Sequence, residues 1–162
     1  MNGTVRICFV CTGNICRSPT AEGIMRHLVE RSGLGGRIHI ESAGTGGWHI
    51  GQRADSRSRA AAEARGYLLD RHAQQFTRRF FDRFDYVLVA DDDNRSHLAR
   101  LAPDETAAKK IHMLRDFDPA SPKGSEVPDP YYGGPDGFEL VLDVCEATCV
   151  ELLDHLAREI SP

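Results

Sequence analysis

The sequence predicts a single small doubly wound α/β domain over residues 1–162, with a four-stranded parallel sheet flanked by helices. Three observations predict it. Short apolar runs alternate with segments of helical periodicity, without repeats or low-complexity tracts. The first run, Ile7 to Val10, is apolar without alternation, as in a strand buried on both faces of a parallel sheet. A turn-rich loop follows it and leads into a helix start, so a ligand is expected at the carboxyl end of this first strand.

The elements follow in order. Arg6 to Val10 is the first strand. Pro19, in a first helical turn, opens a helix with Ile24, Met25, Leu28 and Val29 at core spacing and Gly33 near its end. Ile38 to Ala43 is the second strand, and the glycine-rich stretch 44–51 a loop. A helix is expected from about Asp55 to Arg65, stopping at Gly66, and a short helical segment from Phe76 to Phe84. Tyr86 to Ala90 is the third strand. Asp92 to Leu101 is a helix capped by the acidic run at 91–93 and closed before Pro103. Ile111 to Leu114 is the fourth strand, and a proline- and glycine-rich loop runs from about Asp116 to Pro135. In the last helix Phe138, Val141, Leu142, Cys145, Cys149, Leu152, Leu153, Leu156 and Ile160 share one face.

The chemistry concentrates in the loop after the first strand, where Cys11 and Arg17 lie six positions apart with Thr12, Gly13, Asn14, Ile15 and Cys16 between them. A loop of this length can curl its N–H groups toward one centre, and the helix behind it adds unpaired amides and the positive end of its dipole. Gly13 suits a positive φ, and Asn14 is the other residue type that tolerates one. Arg17 supplies a planar fork for two oxygens of a phosphate dianion. The same field favours the thiolate form of a cysteine placed in it, and Ser18 can donate its hydroxyl to that sulfur. A zinc site would need a second cysteine pair at ligand spacing, and a nucleotide-binding loop would end in glycine, lysine and serine; the chain has neither here.

Phosphate esters leave poorly unless a proton reaches the leaving oxygen. The long loop offers Asp129 between Pro128 and Pro130, which stiffen its backbone. Tyr131 and Tyr132 beside it read equally well as the wall of an aromatic pocket or as an exposed tyrosine pair.

Cys11, Arg17 and Ser18 near the N-terminus, together with Asp129, Pro130, Tyr131 and Tyr132, resemble the low-molecular-weight protein tyrosine phosphatases. The likeness extends over essentially the whole chain, including Ser42 to Thr45 and the Trp48-His49 pair. It implies that Cys11 is the nucleophile of a phosphocysteine mechanism, that Arg17 binds the phosphoryl oxygens, and that Asp129 is general acid and then base. It implies that Asn14, Ser18, Ser42 and His72 brace the loop, and that Trp48, Tyr131 and Tyr132 form the rim around the substrate ring. Without the resemblance, His72 reads as a structural or exposed histidine. The likeness further implies phosphotyrosyl proteins as substrates, phosphate or a similar oxyanion as inhibitor, and no metal or other cofactor, since Arg17 and the amides supply the electrostatic stabilisation. Cys16 fits either a reversible disulfide that shields Cys11 or a small buried side chain under the loop.

Three rival readings share some of these features. Arsenate reduction on the same fold needs accessible paired thiols to pass oxidation along, and residues 80–92 hold no cysteine. Protein arginine phosphatases of the same family tend to carry threonine where this chain has Ile15, and a reduced aromatic rim. A non-catalytic phosphotyrosine-binding module would be expected to have lost Cys11 or Asp129. A net charge of −4 argues against a general nucleic-acid partner. No run is long and apolar enough to span a membrane, no signal-peptide pattern is present, and an odd count of five cysteines suits a reducing compartment. The expectation is a cytoplasmic protein, export without a signal peptide being left open, and a monomer with scope for weak self-association through the aromatic rim.

Overall fold

A computed structural model describes residues 3–131 and 133–160. Strands β1 (Val5–Cys11), β2 (Ile38–Gly44), β3 (Tyr86–Val89) and β4 (Ile111–Met113) form one parallel sheet in the order β2-β1-β3-β4. Between them lie α1 (Arg17–Arg31), α2 (Ser56–Ala64), α3 (Phe80–Arg83), α4 (Asp92–Leu101) and α5 (Glu105–Ala108). A 3-10 turn (Leu114–Phe117) follows β4, and α6 (Pro135–Ile160) closes the described fold.

The unbroken apolar run of β1 reflects burial on both faces. Ile7, Phe9 and Cys11 point into a core shared with Ile24 and Met25 of α1 and Leu142, Cys145 and Cys149 of α6. Cys8 and Val10 point the other way, into a core with Val87, Val89, Leu98, Met113 and four phenylalanines from residues 76–84. The alternation of β1 is thus between two interiors rather than between core and water. Connections leave β1 toward β2 and β3 toward β4, in opposite directions across the sheet. A crevice therefore opens between the carboxyl ends of β1 and β3.

Most elements lie where they are expected. Asp55 caps α2 by accepting from Arg57 N at 2.8 Å, and Gly66, at φ 90°, ends that segment. Two expectations are corrected. The helix expected over Phe76 to Phe84 shrinks to Phe80–Arg83, because Phe76 N donates to Gly44 O at 2.7 Å and continues the pairing beyond β2. Leu114 leaves the fourth strand for the 3-10 turn. Helix α5, which was not expected, is nucleated by Asp104, whose side chain accepts from Ala107 N at 2.8 Å.

Candidate active site

The loop after β1 is held from three sides. Thr45 N donates to Cys11 O (2.9 Å) and Gly46 N to Thr12 O (3.0 Å), while Asp55 N donates to Ile15 O (2.8 Å). The approach is close enough that a Cβ at Gly44 would lie 2.8 Å from Thr12 O, so only glycine fits there. The left-handed residue of the loop is Asn14 (φ 57°) and not Gly13. The side chain of Asn14 explains why: it is the loop's internal brace. Its Oδ1 accepts from Gln74 N (2.9 Å), and its Nδ2 donates to Ser18 Oγ (2.8 Å) and Ser42 Oγ (2.9 Å).

These bonds have a direction. Ser42 donates to the buried Glu22 carboxylate at 2.6 Å, so it accepts from Asn14. Ser18 also accepts from Asn14, which leaves its hydroxyl proton free to be donated to the Cys11 sulfur, 3.0 Å away. Glu22 is in turn held by Arg26 at 2.6 Å. A continuous chain of hydrogen bonds thus links Glu22 to the Cys11 sulfur.

Arg17 is only 4% exposed, and both terminal nitrogens of its fork have partners. Nη1 donates to Asp91 Oδ2 (2.6 Å) and Val127 O (3.1 Å). Nη2 reaches Thr12 Oγ1 (3.4 Å) and lies 3.7 Å from Asp129 Oδ2. Burial opposes the guanidinium's charge, but the Cys11 sulfur, Asp91 and Asp129 outweigh it and raise its pKa. Among the described residues, no backbone amide from Gly13 to Ser18 donates to a protein acceptor, and the start of α1 has no side-chain cap. The loop therefore presents a fan of free donors beside a fixed cation.

Cys11, Arg17 and Asp129 line one cavity of about 470 Å³, with Ile15, Trp48, His49 and Tyr131 forming its walls. Trp48 is 72% exposed, and its ring stands at the mouth. Asp129 is half exposed, and its Oδ1 accepts from Tyr131 N at 3.0 Å, a short turn that aims the carboxyl. Thr12, Gly13 and Cys16 complete the floor. Burial, partly offset by a hydrogen bond with Ser58, pushes the Cys16 thiol up to about 12. A larger, shallow depression of about 1100 Å³ lies at the opposite end of the sheet, beside Thr4, Tyr86 and His155, away from all of these groups.

His72 does not join the brace. Its side chain is exposed, and its backbone pairs with Arg53 in an isolated bridge; the hydrogen bond to Asn14 comes instead from the backbone of Gln74, two residues on. Tyr132 lies outside the described residues. The sequence reading missed Glu22, Gln74 and Asp91. The acidic run predicts a helix cap there, and Asp91 Oδ1 does accept from Asn94 N at 2.8 Å, but its other oxygen holds Arg17. The signal was topological: Asp91 follows β3, whose carboxyl end adjoins that of β1. Among the described residues, no three His, Cys, Asp or Glu side chains cluster to hold a metal ion, and no helix is long and apolar enough to cross a membrane.

Residues 6–161 match the profile of the low molecular weight phosphotyrosine protein phosphatases. A low molecular weight protein-tyrosine-phosphatase of Streptomyces coelicolor is 49% identical over 158 residues, covering 97% of this chain and 96% of the relative. Low molecular weight protein-tyrosine phosphatase A of Mycobacterium tuberculosis is 41% identical over 162 residues, covering 99% and 97%. Among solved structures, a protein tyrosine phosphatase from Entamoeba histolytica with Hepes in its active site superposes with a TM-score of 0.91 at 39% identity, covering 96% of this chain and 99% of that one. The fold and the full-length similarity agree: this chain belongs to the low-molecular-weight phosphotyrosine protein phosphatase family.

Proposed function

We propose that this protein hydrolyses phosphotyrosine in proteins through a phosphocysteine intermediate. The observation that carries the reading is that Cys11, Arg17 and Asp129 line a single cavity whose floor carries free backbone amides. In the first step the Cys11 thiolate attacks phosphorus while Asp129 passes its proton to the ester oxygen, and the phenol departs. Arg17 and the amides meet the charge spread over the equatorial oxygens. In the second step Asp129, now a carboxylate, takes a proton from the water that attacks phosphocysteine. Phosphate leaves, and Cys11 returns as a thiolate stabilised by the Ser18 hydroxyl.

The walls support the choice of ester. Ile15, Trp48 and Tyr131 are apolar or aromatic and stand around the mouth, which suits an aryl group. Against arsenate reduction, Cys145 and Cys149 are fully buried in the core between α6 and the sheet and cannot pass oxidation outward. Phosphoarginine hydrolysis would keep the mechanism and change the substrate. The test is phosphate release from phosphotyrosyl and phosphoseryl peptides and from phosphoarginine, for wild type and Cys11→Ser. Release from phosphotyrosine, lost in the variant, is the expected result; release chiefly from phosphoarginine would overturn the substrate, and release from none would overturn the activity.

A further inference from the structure

The acid-bearing segment around Asp129 and the oxyanion loop come from opposite ends of the chain, yet the chemistry requires their separation to be held to a fraction of an ångström. A continuous connection joins them. Ile15 O, in the loop, accepts from Asp55 N at 2.8 Å. The Asp55 carboxylate receives Arg57 through its fork, Nε to Oδ1 at 3.0 Å and Nη2 to Oδ2 at 2.9 Å. The same Nη2 donates to Tyr131 O at 3.0 Å. Tyr131 N, at the other end of that residue, donates to Asp129 Oδ1. The guanidinium also lies 4.7 Å from the centre of the Phe138 ring and 5.4 Å from that of Tyr131.

We propose that Arg57 is a positioning residue for Asp129: it fixes the Tyr131 peptide against the start of α2 and so sets where the general acid stands relative to the cradle. The inference rests on Asp129 being that acid, as in the function proposed above. Arg57 touches neither the cavity nor Arg17, and the ion pair it forms is 47% exposed on the arginine side, so it contributes little to global stability. Its contribution is geometric. A bidentate carboxylate fork combined with a bond to a third oxygen suits arginine and not lysine.

The test compares wild type, Arg57→Ala, Arg57→Lys, Asp129→Ala and the Arg57→Ala/Asp129→Ala double variant. The readouts are kcat/KM on phenyl phosphate, whose leaving group needs a proton, and on 4-nitrophenyl phosphate, whose leaving group is a stronger acid. Arg57→Ala should lower kcat/KM for phenyl phosphate by about tenfold and for 4-nitrophenyl phosphate by no more than about twofold. Arg57→Lys should fall between, and the inhibition constant of inorganic phosphate should stay within about twofold of wild type, since the cradle is intact. In the Asp129→Ala background the second substitution should change little, because no acid remains to be positioned. Equal losses on the two esters, or full additivity in the double variant, would overturn the role of Arg57 alone. No turnover by wild type, or no selective loss in Asp129→Ala, would overturn the reading of Asp129 and the role of Arg57 with it.

Discussion

Asp91 ties two functions into one carboxylate: Oδ2 lies 2.6 Å from Arg17 Nη1, and Oδ1 caps α4 through Asn94 N at 2.8 Å. The Arg17 fork is thereby tied to the segment between β3 and α4 as well as to Thr12 of its own loop. Arg17 sits at the start of α1 with almost no solvent to help hold it.

Asp91→Ala should therefore lower kcat/KM by about 10- to 100-fold, the loss of one charged hydrogen bond, and should weaken phosphate inhibition in parallel. Asp91→Asn, which keeps a neutral acceptor and the cap, should lose less. Steady-state kinetics with phosphate as competitor check both. An unchanged phosphate affinity in Asp91→Ala would show that the fork needs no external hold.

Asn14 combines a left-handed backbone with three side-chain bonds, and two substitutions separate the contributions. Both Asn14→Gly and Asn14→Ala lose the bonds, but glycine relieves the backbone. Urea denaturation should find Asn14→Ala less stable than Asn14→Gly by about 1 kcal/mol. Both should lose activity, since Ser18 is no longer oriented toward Cys11. Equal stability would mean that the loop relaxes away from the left-handed conformation.

The buried Glu41 gives a pH dependence. Burial acts to raise its pKa, but hydrogen bonds from His39 and Gln74 and the charge of Arg83 act the other way and leave it below the usual 4.5. A carboxylate depressed in the folded state stabilises the fold at pH above the unfolded value and loses that contribution as pH falls through the lowered one. The urea midpoint of wild type should fall as pH drops below 4.5, and Glu41→Gln should show a shallower fall over the same range. Parallel profiles would remove Glu41 from the acid response.

Cys16 has its thiol pushed up to about 12 and is buried beneath the loop. At neutral pH it is therefore protonated, and protonated thiols alkylate slowly. Peptide mapping after iodoacetamide at neutral pH should find Cys11 modified and Cys16 untouched in the same molecules. Modification of Cys16 at a comparable rate would contradict the burial that raises its pKa.

Much of this was legible in the sequence where a local pattern decided the outcome. The apolar run of β1 announced burial on both sides, and α4 has the expected bounds because an acidic cap and Pro103 delimit it locally. Cys11, Arg17 and Ser18 lie within eight residues, so their meeting needed only a turn and a helix start. What depended on distant partners was hidden. Phe76 leaves the helical register because Gly44 pairs with it; Asp91 reaches the site through the pairing of β3 with β1, and Glu22 and Gln74 reach it through Ser42 and Asn14. His72 shows the same limit from the other side: the segment does reach Asn14, but the Arg53 bridge and the chain path present the Gln74 amide there and leave the histidine exposed.

Acid quenching of a reaction with labelled aryl phosphate shows whether Cys11 carries the phosphoryl group. The Asp129→Ala variant, slowed in hydrolysis of the intermediate, should retain label that maps to the Cys11 peptide, and Cys11→Ser should retain none. Label on another residue, or turnover at the wild-type rate with no labelled protein at any time, would exclude a phosphoryl group on Cys11.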